Sequence, residues 1–144
     1  MRLNLGCGAD YRAGWINVDK NDVMRCDVLA DLSVKLPFPD EAADEIVANH
    51  LIEHLPDLVT FMNECHRVLV PGGKLYLEFP KADTDYFWQD PTHVRSYTAN
   101  TFTIYFMGLT GMYGIRAWSG AEVRQADSII NDVPAHILSV EMVK

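Results

Sequence analysis

A short apolar strand that runs directly into a glycine turn is the feature that most constrains this chain. Residues 3–8 read LNLGCG, and a second apolar run at residues 15–18 ends on Asp19. In an α/β sheet, glycines after a strand let the backbone approach a ligand, and an acid at the end of the next strand holds ribose hydroxyl groups. The pattern predicts a nucleoside pocket at the carboxyl edge of a parallel sheet. A plain tight turn is the alternative interpretation.

The spacing favours one kind of nucleoside. A dinucleotide fingerprint requires G-x-G-x-x-G with an acid about 20 residues further on. Here Tyr11 occupies the third glycine position, and Asp19 lies only 11 residues after Gly8 (19 minus 8). A pyrophosphate also needs a helix N-terminus close by, and the segment before Trp15 is too short for a crossover helix. A nucleoside without phosphates fits better, so we expect the ligand to be S-adenosylmethionine (SAM).

Composition limits the classes of partner. The 144 residues are 49% hydrophobic and 22% charged, as expected for one soluble domain over residues 1–144. A formal net charge of −8 disfavours a nucleic-acid partner. The three cysteines are too far apart for a disulfide framework or a zinc motif. We see neither a leader sequence nor an apolar run of about 20 residues, and we therefore expect a cytoplasmic protein without a membrane segment.

Strand and helix patterns alternate through the first half of the chain, which predicts a parallel sheet. The predicted strands are residues 2–5, 15–19, 27–32, 44–49 and 74–79. A 3.6-residue apolar period predicts an amphipathic helix over residues 57–69. An irregular loop over 81–97 is expected to lead into a helix over 99–107, capped by Thr98. Two β-like runs near 115–126 and 136–143 predict an antiparallel hairpin.

Four segments together resemble class I SAM-dependent methyltransferases. They are residues 3–19, the LPFPD turn at 36–40, residues 49–55 and residues 67–80. The resemblance implies a Rossmann-like, mostly parallel seven-stranded sheet flanked by helices, with strand order 3-2-1-4-5-7-6 and strand 7 antiparallel. Proteins of this family usually have helices before strand 1, which help to cover the substrate; none is expected here, so the chain is predicted to be a small variant of the family.

The resemblance further implies a role for individual residues in binding SAM. The backbone of the glycine turn would pass below the methionine part, and Asp19 would hold the ribose. Asp31 and Leu32 would meet the adenine, with Asp27 as a weaker alternative acid. Asn4 stands where the family usually has an acid, which Asp10 could replace. The implied cofactor-binding residues are Asn4, Leu5, Gly6, Cys7, Gly8, Asp19, Asp31, Leu32 and Asn49, the last through its backbone carbonyl.

A cluster of histidines and one glutamate is expected on the acceptor side of the SAM sulfur. His50, Glu53 and His54 follow strand 4, and His93 follows strand 5. Small-RNA 2′-O-methyltransferases and ubiquinone-pathway O-methyltransferases, which this stretch resembles, bind a divalent metal through Glu-x-x-Glu-His. Here His50 replaces the first Glu. We expect these four residues to form the catalytic acceptor site. Whether they hold a divalent metal or act without one stays open, because Glu-His at this place also caps or buttresses loops.

The sequence is compatible with three functions. The first is methyl transfer to a small-molecule acceptor, such as a sugar or another hydroxyl compound. The second is a non-catalytic SAM-binding module, motivated by Asn4. The third follows from His-x-x-Glu-His, the zinc motif of inverted metalloproteases, although Pro56 interrupts the long helix which that motif needs. The aromatic runs at residues 86–88 and 105–106 are expected to line an apolar pocket, a lid or a homodimer interface.

Overall fold

One seven-stranded sheet organises the chain in this computed structural model, which describes all 144 residues. Its strands are β1 (Arg2–Leu5), β2 (Ile16–Asp19), β3 (Val28–Leu29), β4 (Ala43–Asn49), β5 (Leu69–Pro80), β6 (Gly120–Ile130) and β7 (Val133–Val143). The strand order is β3-β2-β1-β4-β5-β7-β6. The first five strands pair in parallel, whereas β7 is antiparallel to both β5 and β6. The predicted Rossmann-like topology is therefore confirmed.

The connection from β1 to β2 contains no helix, as its length predicted. The chain instead folds back on the end of β2, where the backbone N–H groups of Gly6 and Cys7 both donate to the carbonyl of Val18, at 2.8 and 3.0 Å. This tight return leaves the carboxyl ends of β1 and β2 side by side.

One α-helix, α1 (Leu58–Val68), packs on the sheet. Its N-cap Asp57 accepts a hydrogen bond from the Thr60 backbone N–H at 3.1 Å, which satisfies a donor that the first turn leaves free. The helix matches the predicted range within one residue at each end. Its buried positions are Leu58, Phe61, Met62, Cys65 and Val68, the stripe that the 3.6-residue period predicted.

The helix predicted over 99–107 is wrong in type and in its cap. Residues Thr101–Phe106 form a π-helix, and Thr98 caps nothing with its side chain. Thr98 instead donates its backbone N–H to the Thr101 hydroxyl at 3.2 Å. Packing fixes this segment, because Phe102 and Phe106 are buried and stack with ring centroids 6.0 Å apart. The other helical pieces are the turns Ile52–His54 and Thr110–Met112 and the short α2 (Asp85–Trp88).

The helical cover is thinner than the resemblance implied, and the two faces of the sheet differ accordingly. The face below α1 carries a continuous apolar core that includes Leu3, Ile46, Leu75, Leu77, Phe79, Leu138, Val140 and Met142. The opposite face of the same strands is mixed: Asn4, Val47 and Ile137 are buried there, whereas Lys74 is exposed and pairs with Glu141 at 2.7 Å. None of the helices is both long and apolar enough to cross a membrane.

Candidate active site

A cleft of about 540 Å³ opens at the carboxyl ends of the parallel strands. Its lining residues are Gly6, Gly8, Asp19, Lys20, Asp31, Leu32, Ser33, His50, Leu51, His54, Leu55, Pro56 and Thr92. This edge is where open α/β sheets bind ligands. The cleft gathers five of the nine residues predicted to bind the cofactor and two of the four predicted for the acceptor site.

The two glycines of the turn are required for different reasons. Gly6 has φ +68°, and a Cβ there would lie 2.9 Å from Leu51 Cδ1, so a side chain would collide with the wall of the cleft. Gly8 has φ +46°, and a Cβ there would meet nothing within 4 Å. Both take the left-handed backbone conformation that glycine adopts at no steric cost. The open space beside Gly8 is space that a ligand can approach.

Asp19 and Asp31 place two carboxylates at the cleft. Asp19 accepts one backbone N–H on each oxygen, from Gly8 and from Asn21, both at 2.9 Å. Asp31 uses one oxygen only, accepting the hydroxyl of Ser33 at 2.7 Å and its backbone N–H at 2.9 Å. These two hydrogen bonds lower the pKa of Asp31. Asp31 is therefore ionised at neutral pH, and both carboxylates keep lone pairs for hydroxyl or amino donors.

Asn17 is the centre of a hydrogen-bond network that holds the β1–β2 loop behind the cleft. Its amide nitrogen donates to Asp27 at 2.8 Å and to the Arg12 carbonyl at 3.0 Å. Its amide oxygen accepts from Asn4 at 3.0 Å. The Asn17 contacts lower the pKa of Asp27. Asn4 and Asp27 thus support the loop and do not line the cleft, and neither does Asp10, whose carbonyl accepts from Asn4 at 2.7 Å.

Three further residues from the predicted cofactor set also lie away from the cleft. Leu5 is fully buried in the core. Cys7 is buried, and burial raises the pKa of its thiol. Asn49 ends β4 and lines a separate depression of about 200 Å³, shared with Tyr76 and Glu78. The prediction for Asn49 concerned its backbone carbonyl and stays a prediction.

His50 sits between two carboxylates at the start of the acceptor side. It has φ +50°, a left-handed conformation that is uncommon outside glycine. Its Nδ1 lies 3.3 Å from Glu53 Oε1, and its Nε2 lies 3.6 Å from Glu78 Oε1. These contacts, the one with Glu53 first, raise the pKa of His50 to about 9. His50 is therefore protonated at neutral pH and serves as a cation and a donor.

Glu53, His54 and His93 converge next to His50. One candidate ligand atom from each lies within 4.8 Å of the other two. The Glu53 side chain is 1% exposed, and neither carboxylate oxygen has a hydrogen-bond partner. The two imidazole rings meet edge to face with centroids 4.8 Å apart. His54 and Thr92 line the cleft, whereas Glu53 and His93 do not, and the side chains of these two residues are buried.

The metalloprotease alternative lacks its framework here. Residues 50–54 leave β4 through a left-handed residue and a single 3₁₀ turn, not through a long helix.

The two predicted aromatic runs each contain both buried and exposed residues. Phe87 is buried against His93 with ring centroids 4.7 Å apart, and Phe106 belongs to the core. Trp88 and Tyr105 are exposed.

Several residues at the site were not predicted from the sequence. Lys20 and Ser33 directly follow predicted site residues, so adjacency was the available signal. Glu78 was missed although its partner in the parallel register is Asn49, one residue before His50. The remaining lining residues that were missed are Leu51, Leu55, Pro56 and Thr92.

Two solved structures of SAM-dependent methyltransferases share this fold. A SAM-dependent methyltransferase from Archaeoglobus fulgidus superposes with a TM-score of 0.71 at 17% identity, covering 99% of this chain and 85% of the other. A second, from Methanosarcina mazei, gives a TM-score of 0.64 at 15% identity, covering 98% and 91%. At these identities the likeness establishes the fold alone.

Sequence comparison establishes the family. A probable SAM-dependent methyltransferase of Mycolicibacterium smegmatis is 33% identical over 100 residues, which are 67% of this chain and 39% of that protein. A Mycobacterium tuberculosis protein of the same description is 30% identical over 122 residues, 70% of this chain and 44% of that protein. The chain thus spans less than half the length of these relatives. The family described as "Methyltransferase domain" matches residues 3–77, more than half of the chain. The chain therefore belongs to the class I SAM-dependent methyltransferases.

Proposed function

We propose that this protein transfers the methyl group of SAM to a small-molecule acceptor that carries a hydroxyl group. One observation carries the proposal. Two left-handed glycines and two carboxylates face a single open cleft at the carboxyl edge of the sheet. Family membership supplies the reaction class, and the residues around the cleft fit SAM as the methyl donor.

The chain's own groups would hold the donor as follows. The bare Cα of Gly8 leaves room for the methionine part to lie against the backbone. Asp19 would accept the ribose hydroxyl groups on lone pairs that its two backbone donors leave free. The unused oxygen of Asp31 would accept the adenine amino group. When bound, SAM supplies a methyl group activated by its sulfonium, so the protein contributes orientation and exclusion of water.

The acceptor would approach from the side of His50, His54 and Thr92. A hydroxyl nucleophile must lose its proton, either to a positioned base or with the help of a metal ion. His50 is already protonated, which leaves the imidazoles of His54 and His93 for this task, with Glu53 behind them. The net charge of −8 and the modest cleft support a small acceptor over a polynucleotide. Cytoplasmic location and a homodimer stay predictions.

Binding of SAM is tested by calorimetry with the whole chain. We expect SAM and its demethylated product to bind and NAD to bind far more weakly. Asp19→Asn keeps one oxygen for the Gly8 N–H but removes the charge, and it should weaken binding by about 1–3 kcal/mol. Asp22→Asn is the matched control, because Asp22 is an exposed acid in the next loop that does not line the cleft. Equal binding of NAD, or equal loss in both variants, would refute the assignment of the cleft.

Catalysis is tested separately from binding. SAM carrying a labelled methyl group is incubated with the protein and a pool of hydroxylated metabolites, and label is followed into products. Label transfer that depends on Asp19 supports the proposal. Tight SAM binding without transfer to any acceptor in the pool would instead indicate a SAM-binding module.

A further inference from the structure

We propose that Glu53, His54 and His93 form a binding site for one divalent transition-metal ion, at the acceptor side of the cleft. Its use in catalysis rests on the function proposed above, whereas the binding of the ion does not. The candidate ligand atoms lie within 4.8 Å of one another. His50, the fourth residue considered from the sequence, lies outside this set and contacts Glu53 at 3.3 Å.

The burial of the Glu53 carboxylate without hydrogen-bond partners is the strongest support for this site. Its side chain is 1% exposed, and both carboxylate oxygens lack a hydrogen-bond partner. A buried carboxylate is strongly unfavourable unless it is paired and hydrogen-bonded or coordinates a metal. His50 neutralises part of this charge, but its 3.3 Å contact reaches one oxygen only. A cation between Glu53 and the two imidazoles would satisfy the second oxygen.

Hydrogen bonds fix which nitrogen of each imidazole is free. Thr92 donates its hydroxyl to Asp90 at 2.6 Å, so the same oxygen accepts from His54 Nδ1, 3.0 Å away. His93 Nδ1 lies 2.6 Å from the Phe87 carbonyl, which can only accept. Both rings therefore carry their proton on Nδ1 and expose a lone pair on Nε2. Metal-binding histidines show this arrangement, with the second nitrogen bound to a carbonyl or another fixed acceptor.

The three candidate ligand atoms lie somewhat further apart than the ligand atoms of a site that holds a metal ion. Bonds of about 2.1 Å in a tetrahedral zinc site place neighbouring ligand atoms roughly 3.4 Å apart. The three ligand atoms here lie within 4.8 Å of one another, so binding an ion would require closure of up to about 1.4 Å. The edge-to-face arrangement of the two rings, with centroids at 4.8 Å, keeps them from stacking and blocking the space between them.

The donor set indicates the class of metal. Two imidazoles and one carboxylate suit zinc, iron or manganese, whereas magnesium and calcium prefer sets made of oxygen alone. Three protein ligands also leave positions open, as in catalytic zinc sites and unlike closed structural ones. One exposed group competes for His93, because Asp90 Oδ2 lies 3.7 Å from its Nε2.

The test is a titration of the chelator-stripped full chain with Zn²⁺ alone, followed by calorimetry. We expect one ion per chain. His93→Ala and Glu53→Gln each remove a ligand and should weaken binding by more than the roughly 10–100-fold that is typical of losing a residue that only orients a ligand. Thr92→Val removes only the acceptor that orients His54, and it should fall within that range. His136→Ala is the matched control, because His136 pairs with Asp83 on the surface, away from the cleft.

Each outcome decides the proposal. Loss of binding in the ligand variants, with His136→Ala unchanged and SAM still bound, supports the site. No zinc binding by the wild type, or an equal loss in His136→Ala, overturns it. If Glu53→Gln does not fold, as judged by circular dichroism, His93→Ala alone carries the test. Failure of SAM binding with zinc binding intact would instead overturn the proposed function and leave the metal site standing.

Discussion

Arg67 fastens the turn between β3 and β4 to α1, and its replacement is the most informative test of the fold. Its guanidinium donates to both carboxylate oxygens of Glu64, at 2.8 and 2.6 Å. It also donates to the carbonyls of Phe38 and Leu36, at 2.8 and 3.1 Å, and to Asp40 at 2.8 Å. The side chains of Arg67 and Glu64 are only 10% and 17% exposed. One side chain therefore satisfies several groups of the LPFPD turn.

Arg67→Met keeps the aliphatic stem but removes every one of these donors. Glu64 is then left as a largely buried, unpaired charge, a change that costs about 3–5 kcal/mol when one partner of a buried pair is removed. We expect the lower end of this range, because water can reach the remaining exposed part of Glu64. A domain of this size is stable by about 5–15 kcal/mol in total. At about 3 °C per kcal/mol, the melting temperature should fall by about 10 °C.

The assay is urea unfolding followed by circular dichroism, with two companion variants. Arg124→Met removes a surface pair, in which Arg124 is 75% exposed and contacts Glu122 at 2.7 Å, and it should cost less than about 1 kcal/mol. Arg67→Met combined with Glu64→Gln removes the orphaned charge and should recover part of the loss. If Arg67→Met cost no more than Arg124→Met, the reasoning about burial would be refuted.

The same network predicts a dependence on pH. Arg67 lowers the pKa of Glu64. Because the folded pKa lies below the unfolded one, this stabilisation is fully present above the unfolded pKa and is lost as the pH falls through the folded pKa. The difference in stability between the wild type and Arg67→Met should therefore be constant near neutral pH and shrink in acid. A difference that grows in acid would contradict the assigned direction.

Three further variants test other parts of the structure. Gly8→Ala and Gly72→Ala both place a Cβ in open space at positive φ, so each should cost about 1–2 kcal/mol of stability, but only Gly8→Ala should also weaken SAM binding in calorimetry. Asn4→Asp removes a donor that faces two acceptors and should cost about 1–3 kcal/mol in urea unfolding; unchanged stability would argue against the network. Asp132→Gly relieves φ +63° in the two-residue turn of the β6–β7 hairpin and should raise the free energy of unfolding by about 1 kcal/mol, which is seen as a higher urea midpoint. A lower midpoint would exclude this turn type.

The parts of the fold that were predictable are those with a strong local pattern. Alternation of apolar strands and the 3.6-residue period of α1 are properties of adjacent residues, and α1, β1, β2 and β4 were placed within one residue at each end. By contrast, β3 is shorter than the predicted 27–32, and β5 begins at Leu69, five residues before its predicted start. The hairpin was expected, but β6 begins at Gly120 and runs to Ile130. Most of β6 is exposed, so its sequence lacks the apolar signal that marks a buried strand. The π-helix was missed because its cause, the packing of Phe102 and Phe106, is tertiary.

The site shows the same limit at the level of single residues. That Gly6, Gly8 and Asp19 meet at one cleft followed from strand order alone. That His50 lies between Glu53 and Glu78 depends on a left-handed backbone at His50 and on the pairing of β4 with β5. Neither can be seen in a window of sequence, and together they set the charge of His50.

Asn4 shows how a departure from a family pattern can have a purely local cause. Its amide donates to the Asp10 carbonyl at 2.7 Å and to the Asn17 side-chain oxygen at 3.0 Å, and both partners are acceptors. A carboxylate at this position would face two oxygens in a buried setting, which is unfavourable. The residue that fits at position 4 is therefore determined by residues 6 and 13 positions further along the chain. Asn4 supports the β1–β2 loop behind the cleft. Its presence in place of an acid is therefore not an argument that this chain binds SAM more weakly.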